Sequence, residues 1–211
     1  MKDLADVVQI SPATPEMAEV ASVLLHLSMH PLADYWMGTD DTPAAKAILA
    51  CMFRARRNLF SYQFARCAEI DGKVAGLELS YPAQSMLRLE LLTLLRFLEF
   101  GGLPTTLRML KRSYPLQSIT AAGPEEYFLA HLAVLPEYEG RGLGRQLLQH
   151  AEQRALAAGL RKITLTVDAD NDGAMSLYAR AGFRVTSSAN LEPLRRKFGY
   201  NGYHHMEKLL A

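Results

Sequence analysis

The chain has 211 residues, of which 49% are hydrophobic and 21% charged. That balance excludes a largely disordered chain, and at this length it favours one domain, residues 1–211, with a sizeable core. A formal net charge of +1, without a basic block or an acidic tail, argues against nucleic acid as a partner.

Val7 to Ile10 reads as a short strand. Thr14 and Pro15 then offer an N-cap followed by proline at the first helical position. Met17, Val20, Val23, Leu24 and Leu27 recur at helical spacing until Pro31 stops the pattern. A second helix is expected from Thr42 to about Arg57. Tyr62 to Ile70 and Lys73 to Tyr81 form a hairpin around Asp71 and Gly72, a turn pair that tolerates the positive φ a tight hairpin demands.

From Met86 the pattern changes. Leu87, Leu91, Leu94, Leu95 and Leu98 lie at helical spacing, and Leu89, Leu92, Phe97 and Phe100 widen the apolar face. Gly101 and Gly102 break the helix, and a second piece follows from Pro104 to about Arg112. Residues 86–119 therefore read as a helical insertion. So many apolar side chains need cover, so the segment is expected either to cap a binding site, the favoured placement, or to meet a second copy of the chain in a homodimer. Tyr127 to Val134 is a nearly continuous apolar run, as in a buried strand. A glycine-rich turn, a helix from Gly142 to Ala158, a strand from Ile163 to Val167 and a helix from Asp172 to Ala181 follow. Gly159 and Gly182 mark the two helix ends. Phe183 to Thr186 and Tyr203 to Leu209 are the last expected strands.

Other functions are disfavoured by what these segments lack. Cys51 and Cys67 are too few for a disulfide framework and lack zinc-site spacing. Asp3 and Asp6, with no apolar run before them, argue against a signal peptide. Arg88, Glu90, Arg96 and Glu99 interrupt the most apolar stretch too often for a membrane span. A cytoplasmic protein without membrane partners is expected. His204 and His205 point to opposite faces of a strand and cannot chelate one ion together, so no metal is expected.

The stretch Leu132 to Leu148, LAVLPEYEGRGLGRQLL, carries the chemistry. A strand runs into a loop with glycine at 140, 142 and 144, and a helix begins at once. Close-set glycines let backbone N–H groups converge, and a helix N-terminus adds partial positive charge, which together suit a phosphate or pyrophosphate. Arg141 and Arg145 flank the loop. The spacing matches neither a P-loop nor the dinucleotide fingerprint.

PEYEGRGLGRQLL resembles the acyl-CoA-binding signature of the GNAT superfamily of N-acetyltransferases: Gln or Arg, two residues, Gly, one residue, then Gly or Ala. NDGAMSLYARAGF, Asn171 to Phe183, resembles the superfamily's later motif, and the order and separation of the two agree. The resemblance spans about Tyr127 to Val185. It implies an α/β fold with a mixed, mostly antiparallel twisted sheet flanked by helices. It also implies acetyl transfer from acetyl-CoA, as co-substrate, to a primary amine on a small molecule or peptide, by direct attack in a ternary complex. By the same resemblance, the backbone of Leu132, Ala133 and Val134 pairs with the pantetheine arm. Arg141, Gly142, Leu143, Gly144 and Arg145 hold the pyrophosphate, and Asn171 contacts the coenzyme as well as capping its helix. Tyr178 is the implied general acid for the departing thiolate. The superfamily's base is often a carboxylate on the strand before the glycine loop, where this chain offers only His131, whose ordinary pKa of ~6.5 suits a base. Glu125, Glu126 and Glu78 are the fallbacks. Glu139 stands where the signature has Gln or Arg and cannot donate to a phosphate. An acyl-CoA-binding regulator without turnover is the alternative reading. Trp36, Tyr200 and Tyr203 are further candidates for the substrate pocket.

Overall fold

The computed structural model describes residues 8–29, 32–113, 122–190 and 192–211, the side chains of residues 192, 193 and 197 excepted. The expected strand start at Val7, the stop at Pro31, the leader reading of residues 1–7 and the 114–119 end of the insertion lie outside them.

Apolar alternation builds a seven-stranded sheet among the described residues, in the order β1-β2-β3-β4-β5-β7-β6. β1 is Val8–Pro12, β2 Ala65–Ile70, β3 Lys73–Pro82, β4 Tyr127–Val134, β5 Lys162–Asp168, β6 Arg184–Ala189 and β7 Tyr203–Leu209. Only β4 and β5 run parallel; every other pair is antiparallel. One face is covered by α1 (Ala18–Ser28) and α3 (Thr42–Arg54), whose Leu24, Leu25, Leu49 and Phe53 join Leu77, Leu79 and Phe128 in the largest core. The opposite face is covered by α5 (Leu143–Ala157), which buries Leu147 and Leu148 completely. Each such leucine contributes roughly 1.5–3 kcal/mol by leaving water.

Several boundaries move from the sequence expectation for local reasons. The second helix ends at Arg54, because Asn58 takes over with its side-chain amide donating to the carbonyls of Met52 and Ala55. Tyr62–Phe64 is a 3₁₀ turn capped by Ser61, and the hairpin strand starts only at Ala65. α2 (Ala33–Trp36) and α7 (Glu192–Phe198) have no counterpart in the sequence reading, since each is too short to show a helical period. β6 runs on through Ser187 and Ser188 to Ala189 as an exposed edge.

The insertion is α4 (Met86–Ser113), a helix interrupted at Gly102, whose φ of 71° and ψ of 168° leave the helical region. Hydroxyls and one arginine tie it down. Thr93 Oγ1 accepts from the Leu59 N–H, Trp36 Nε1 donates to Ser113 Oγ, and Arg112 donates to the Thr39 carbonyl at 2.9 Å. Met86, Leu89, Phe97 and Met109 are buried against the α1/α3 side. Leu87, Leu91 and Leu94 line a cavity on this side of the sheet, while Leu87, Leu91, Leu95 and Leu98 form a stripe that is 45–71% exposed in the single chain. Changing both Leu95 and Leu98 to Lys is therefore expected to alter stability by less than about 1 kcal/mol in urea unfolding. A loss of several kcal/mol would show that this face is packed in solution.

Candidate functional site

β4 and β5 pair over only three residues, Tyr127 with Ile163, Phe128 with Thr164 and Leu129 with Leu165. Both strands continue, to Val134 and Asp168, but they part. The cause is visible in the β3–β4 register, where Ser80 faces Leu129 and Leu79 faces His131, leaving Ala130 as a bulge. A bulge bends the strand that carries it. Past Leu129, β4 stays with β3 while β5 stays with β7, and the β4 edge facing β5 lacks a strand partner.

The gap opens into a cavity on each face of the sheet. The one on the α5 side measures about 720 Å³ and is lined by the β4 edge, the glycine loop and α6 (Asp172–Arg180). The other, on the α1/α4 side, measures about 580 Å³. Ser28, Ala130, His131, Thr166 and Asp168 line both, so the two communicate between the parted strands.

The structure brings nearly all predicted site residues to the α5-side cavity. His131, Leu132, Ala133, Val134, Gly142, Leu143, Gly144, Arg145, Asn171 and Tyr178 line it, and Glu139 stands at its exposed rim. Arg141 is not among its lining residues; its guanidinium lies 5.4 Å from the centre of the Tyr138 ring. Gly140 and Gly142 have φ of 76° and 78°, and a Cβ on either would meet only open space. Gly142 is the N-cap of α5 and offers no side chain to the first N–H groups of the helix. Those groups have no intrahelical acceptor. Together with Arg145 they line the mouth of the cavity, and unsatisfied N–H groups at a helix N-terminus suit an anion such as a pyrophosphate.

α6 is held at both ends. Asn171 Oδ1 accepts from the Ala174 N–H at 3.0 Å. At the other end Gly182, with φ of 93°, lets the Phe183 N–H reach the Tyr178 carbonyl at 3.0 Å. This brings the Phe183 ring to 5.8 Å from that of Tyr178. Burial pushes the Tyr178 phenol well above its ordinary pKa, so it keeps its proton throughout the neutral range.

His131 is buried, stacked on Phe60 with ring centres 5.6 Å apart, and its Nδ1 lies 2.9 Å from Ser28 Oγ. Ser28 donates its one hydroxyl proton to the Leu25 carbonyl at 2.7 Å. Nδ1 is therefore assigned the proton, and Nε2 carries the lone pair. Burial lowers the His131 pKa to about 4. The unfolded chain takes up this proton near pH 6.5 and the folded one only near 4, so stability falls as pH drops through that window. Between pH 7 and pH 5 His131 is expected to cost about 2 kcal/mol of stability, and His131→Gln should remove that part of the pH dependence in denaturant unfolding.

The fallback bases are displaced. Glu78 is fully buried on the α5 face, with Oε1 2.7 Å from Arg154 Nη1. Glu126 pairs with Lys162 at 2.9 Å, and Glu125 is exposed; none of the three lines either cavity. The two acidic groups that line the α1/α4-side cavity were not among the sequence candidates. Asp168 ends β5 and accepts from the Tyr200 hydroxyl at 2.8 Å, and Glu90 projects from α4. Asp168 had a signal, a carboxylate closing a predicted strand, whereas Glu90 looked like a solvent-facing interruption of a leucine-rich helix. Trp36 and Tyr200 line the α1/α4-side cavity, and Tyr203 is buried elsewhere. Among the described residues no group of three His, Cys, Asp or Glu side chains is arranged to hold a metal, and no helix is long and apolar enough to cross a membrane.

Known proteins share this fold. An N-acetyltransferase from Staphylococcus aureus Mu50 superposes with a TM-score of 0.73 at 20% identity, over 95% of this chain and 100% of that one. A structure of yncA from Salmonella typhimurium, solved with its cofactor acetyl-CoA, gives a TM-score of 0.59 at 19% identity, over 97% of this chain and 94% of that one. In sequence, acetyltransferase SG1711 of Sodalis glossinidius (strain morsitans) is 36% identical over 61 residues, 29% of this chain and 43% of that relative. This chain thus matches less than half of that relative's length. Residues 32–183, which hold the parted strands, the glycine loop and α6, match the Acetyltransferase (GNAT) family, and the chain belongs to that family.

Proposed function

We propose that the protein transfers an acetyl group from acetyl-CoA to a primary amine by direct attack in a ternary complex. The observation that carries this reading is the pair of cavities joined between β4 and β5, which lets a coenzyme and an acceptor approach from opposite faces and meet at Ala130 and His131. Acetyl-CoA would supply the activated acyl group and a thiolate leaving group. The free edge of β4, at Leu132, Ala133 and Val134, would hold the pantetheine arm by main-chain hydrogen bonds, as an added strand does. Gly142, Leu143, Gly144 and Arg145 would hold the pyrophosphate, with Arg141 beside them and Asn171 at the far wall.

Tyr178 is the group proposed to hold a proton for the leaving sulfur, and its raised pKa keeps it loaded. His131 is proposed to accept a hydrogen bond from the amine through Nε2. Its lowered pKa makes it a relay and not a store: an alkylamine has a pKa of ~10.4, and the proton it gives up passes on to water. Neither cysteine lines a cavity, which agrees with attack that needs no acetylated enzyme.

Coenzyme A titration with a thermal-shift readout, paired with thiol release across an amine panel, tests the reading. At a ligand concentration of 100 times Kd the native state should gain about 2.7 kcal/mol. Gly142→Val should abolish the shift, because a branched side chain both resists this φ and fills the open cradle. Unchanged affinity in that variant would refute the cradle. Coenzyme binding without thiol release for any amine would refute transfer and leave a binding protein.

A further inference from the structure

The α1/α4-side cavity has a composition that selects its occupant. Trp36, Phe60, Tyr81, Leu94, Phe97 and Phe128 form most of its wall. No Lys or Arg is among its described lining residues, and His131 is neutral above its lowered pKa. Its charged groups are two carboxylates. Asp168 already accepts from Tyr200. Glu90 takes part in no hydrogen bond or ion pair among the described residues, and Arg96, on the same helix, is paired with Glu99. The Glu90 carboxylate sits close enough to the Tyr81 ring for its charge to disfavour ionisation of that phenol, and burial raises its own pKa in turn. A carboxylate bordering an apolar wall with no cation of its own is a site that a ligand's cation stabilises.

We propose that the acceptor is a cationic amine with an apolar, aromatic or branched-aliphatic body, and that Glu90 is a specificity residue that admits positive charge and turns away acidic amines. This rests on the reading of the parted strands as the transfer site. The cavity size agrees, since pockets of roughly 300–1,000 Å³ take organic molecules of drug size, well beyond a short linear diamine. Repulsion does as much as attraction: an acidic group on the acceptor would meet the Glu90 carboxylate.

Trp36 is the single tryptophan of the chain and lines this cavity, so its fluorescence reports occupancy whether or not transfer takes place. The probes are 4-phenylbutylamine, 5-phenylpentanoate, which has the same body with the opposite charge, and putrescine, a cation without an apolar body. The amine is expected to bind with a Kd at least tenfold below those of the other two. Glu90→Gln is expected to narrow the gap between amine and acid to within about threefold. Glu90 is exposed, so this variant should fold and keep its coenzyme-induced thermal shift. Equal or tighter binding of the acid or of putrescine, no saturable binding of the arylalkylamine, or an unaltered gap in Glu90→Gln would overturn the proposal. Thiol release measured on the same samples separates the two readings: selective binding without release overturns the transfer reading alone, whereas release without this selectivity overturns the acceptor class alone.

Discussion

Tyr178→Phe is expected to lower kcat by about ten- to a thousandfold while coenzyme affinity stays within about twofold of wild type. The phenol lines the α5-side cavity, and its ring is held by Phe183 and by the glycine stop of α6. Removing one oxygen leaves ring packing in place, so fold and ground-state binding should survive. What disappears is a proton donor that burial keeps loaded, at the moment when charge gathers on the leaving sulfur. Equal losses in kcat and kcat/KM, with an unchanged thermal shift on adding coenzyme A, are the signature. Wild-type turnover in the Phe variant would remove Tyr178 from the chemistry. An equal loss of coenzyme affinity would make it a wall of the cavity only.

Arg154→Met is expected to destabilise the fold by about 3–5 kcal/mol. Arg154, in the last turn of α5, reaches through to the sheet and donates to Glu78 Oε1 at 2.7 Å, the Phe64 carbonyl at 2.9 Å, Ser80 Oγ at 3.1 Å and the Ser80 carbonyl at 3.2 Å. Ser80 in turn donates to Glu78 Oε2 at 2.7 Å. Glu78 has no solvent exposure, so without the guanidinium its charge is left buried beside the Ser80 hydroxyl and the His150 ring, whose Nδ1 lies 3.7 Å from Oε1. Met keeps the length of the side chain, so the loss reports the charge and its hydrogen bonds. Replacing Glu78 by Met in the same chain should recover most of the loss, because an apolar pair of similar volume avoids desolvating either ion. Urea unfolding of the two variants checks this. A cost below about 1 kcal/mol for Arg154→Met would show that water reaches Glu78.

The elements nearest the glycine loop were legible because their signals are local. Tyr127 to Val134 and Tyr203 to Leu209 coincide with the expected strands to the residue, and α5 and α6 lie within a residue or so of theirs. The two helices end at Gly159 and Gly182, whose positive φ stops them by backbone geometry alone. The weaker predictions involved segments that take their structure from elsewhere. α7 has no period long enough to read, and β6 is polar because it is an exposed edge. Leu95 and Leu98 looked like residues in need of cover, yet α4 buries Phe97 and half-buries Leu94 while leaving both in water.

By itself the sequence determined the order of strands and helices around the two motifs and pointed to the turn at Gly142, Tyr178 and Asn171 as candidates. All of these depend on residues within about a dozen positions of one another. Only the tertiary structure decided which carboxylates meet at the gap. A single bulged residue, Ala130, turns β4 away from β5, and pairing register then sends Glu78 to the α5 face and His131 to the opposite one. A shift of one residue reverses the facing of every side chain beyond it, and nothing local in the sequence announces such a shift. Asp168 and Glu90 stand 78 positions apart and reach one cavity because α4 folds back over α2 and α3. That return path is set by the packing of Phe97 and Met109 into a core built from distant segments, and it is this packing that makes the cavity on the α1/α4 side.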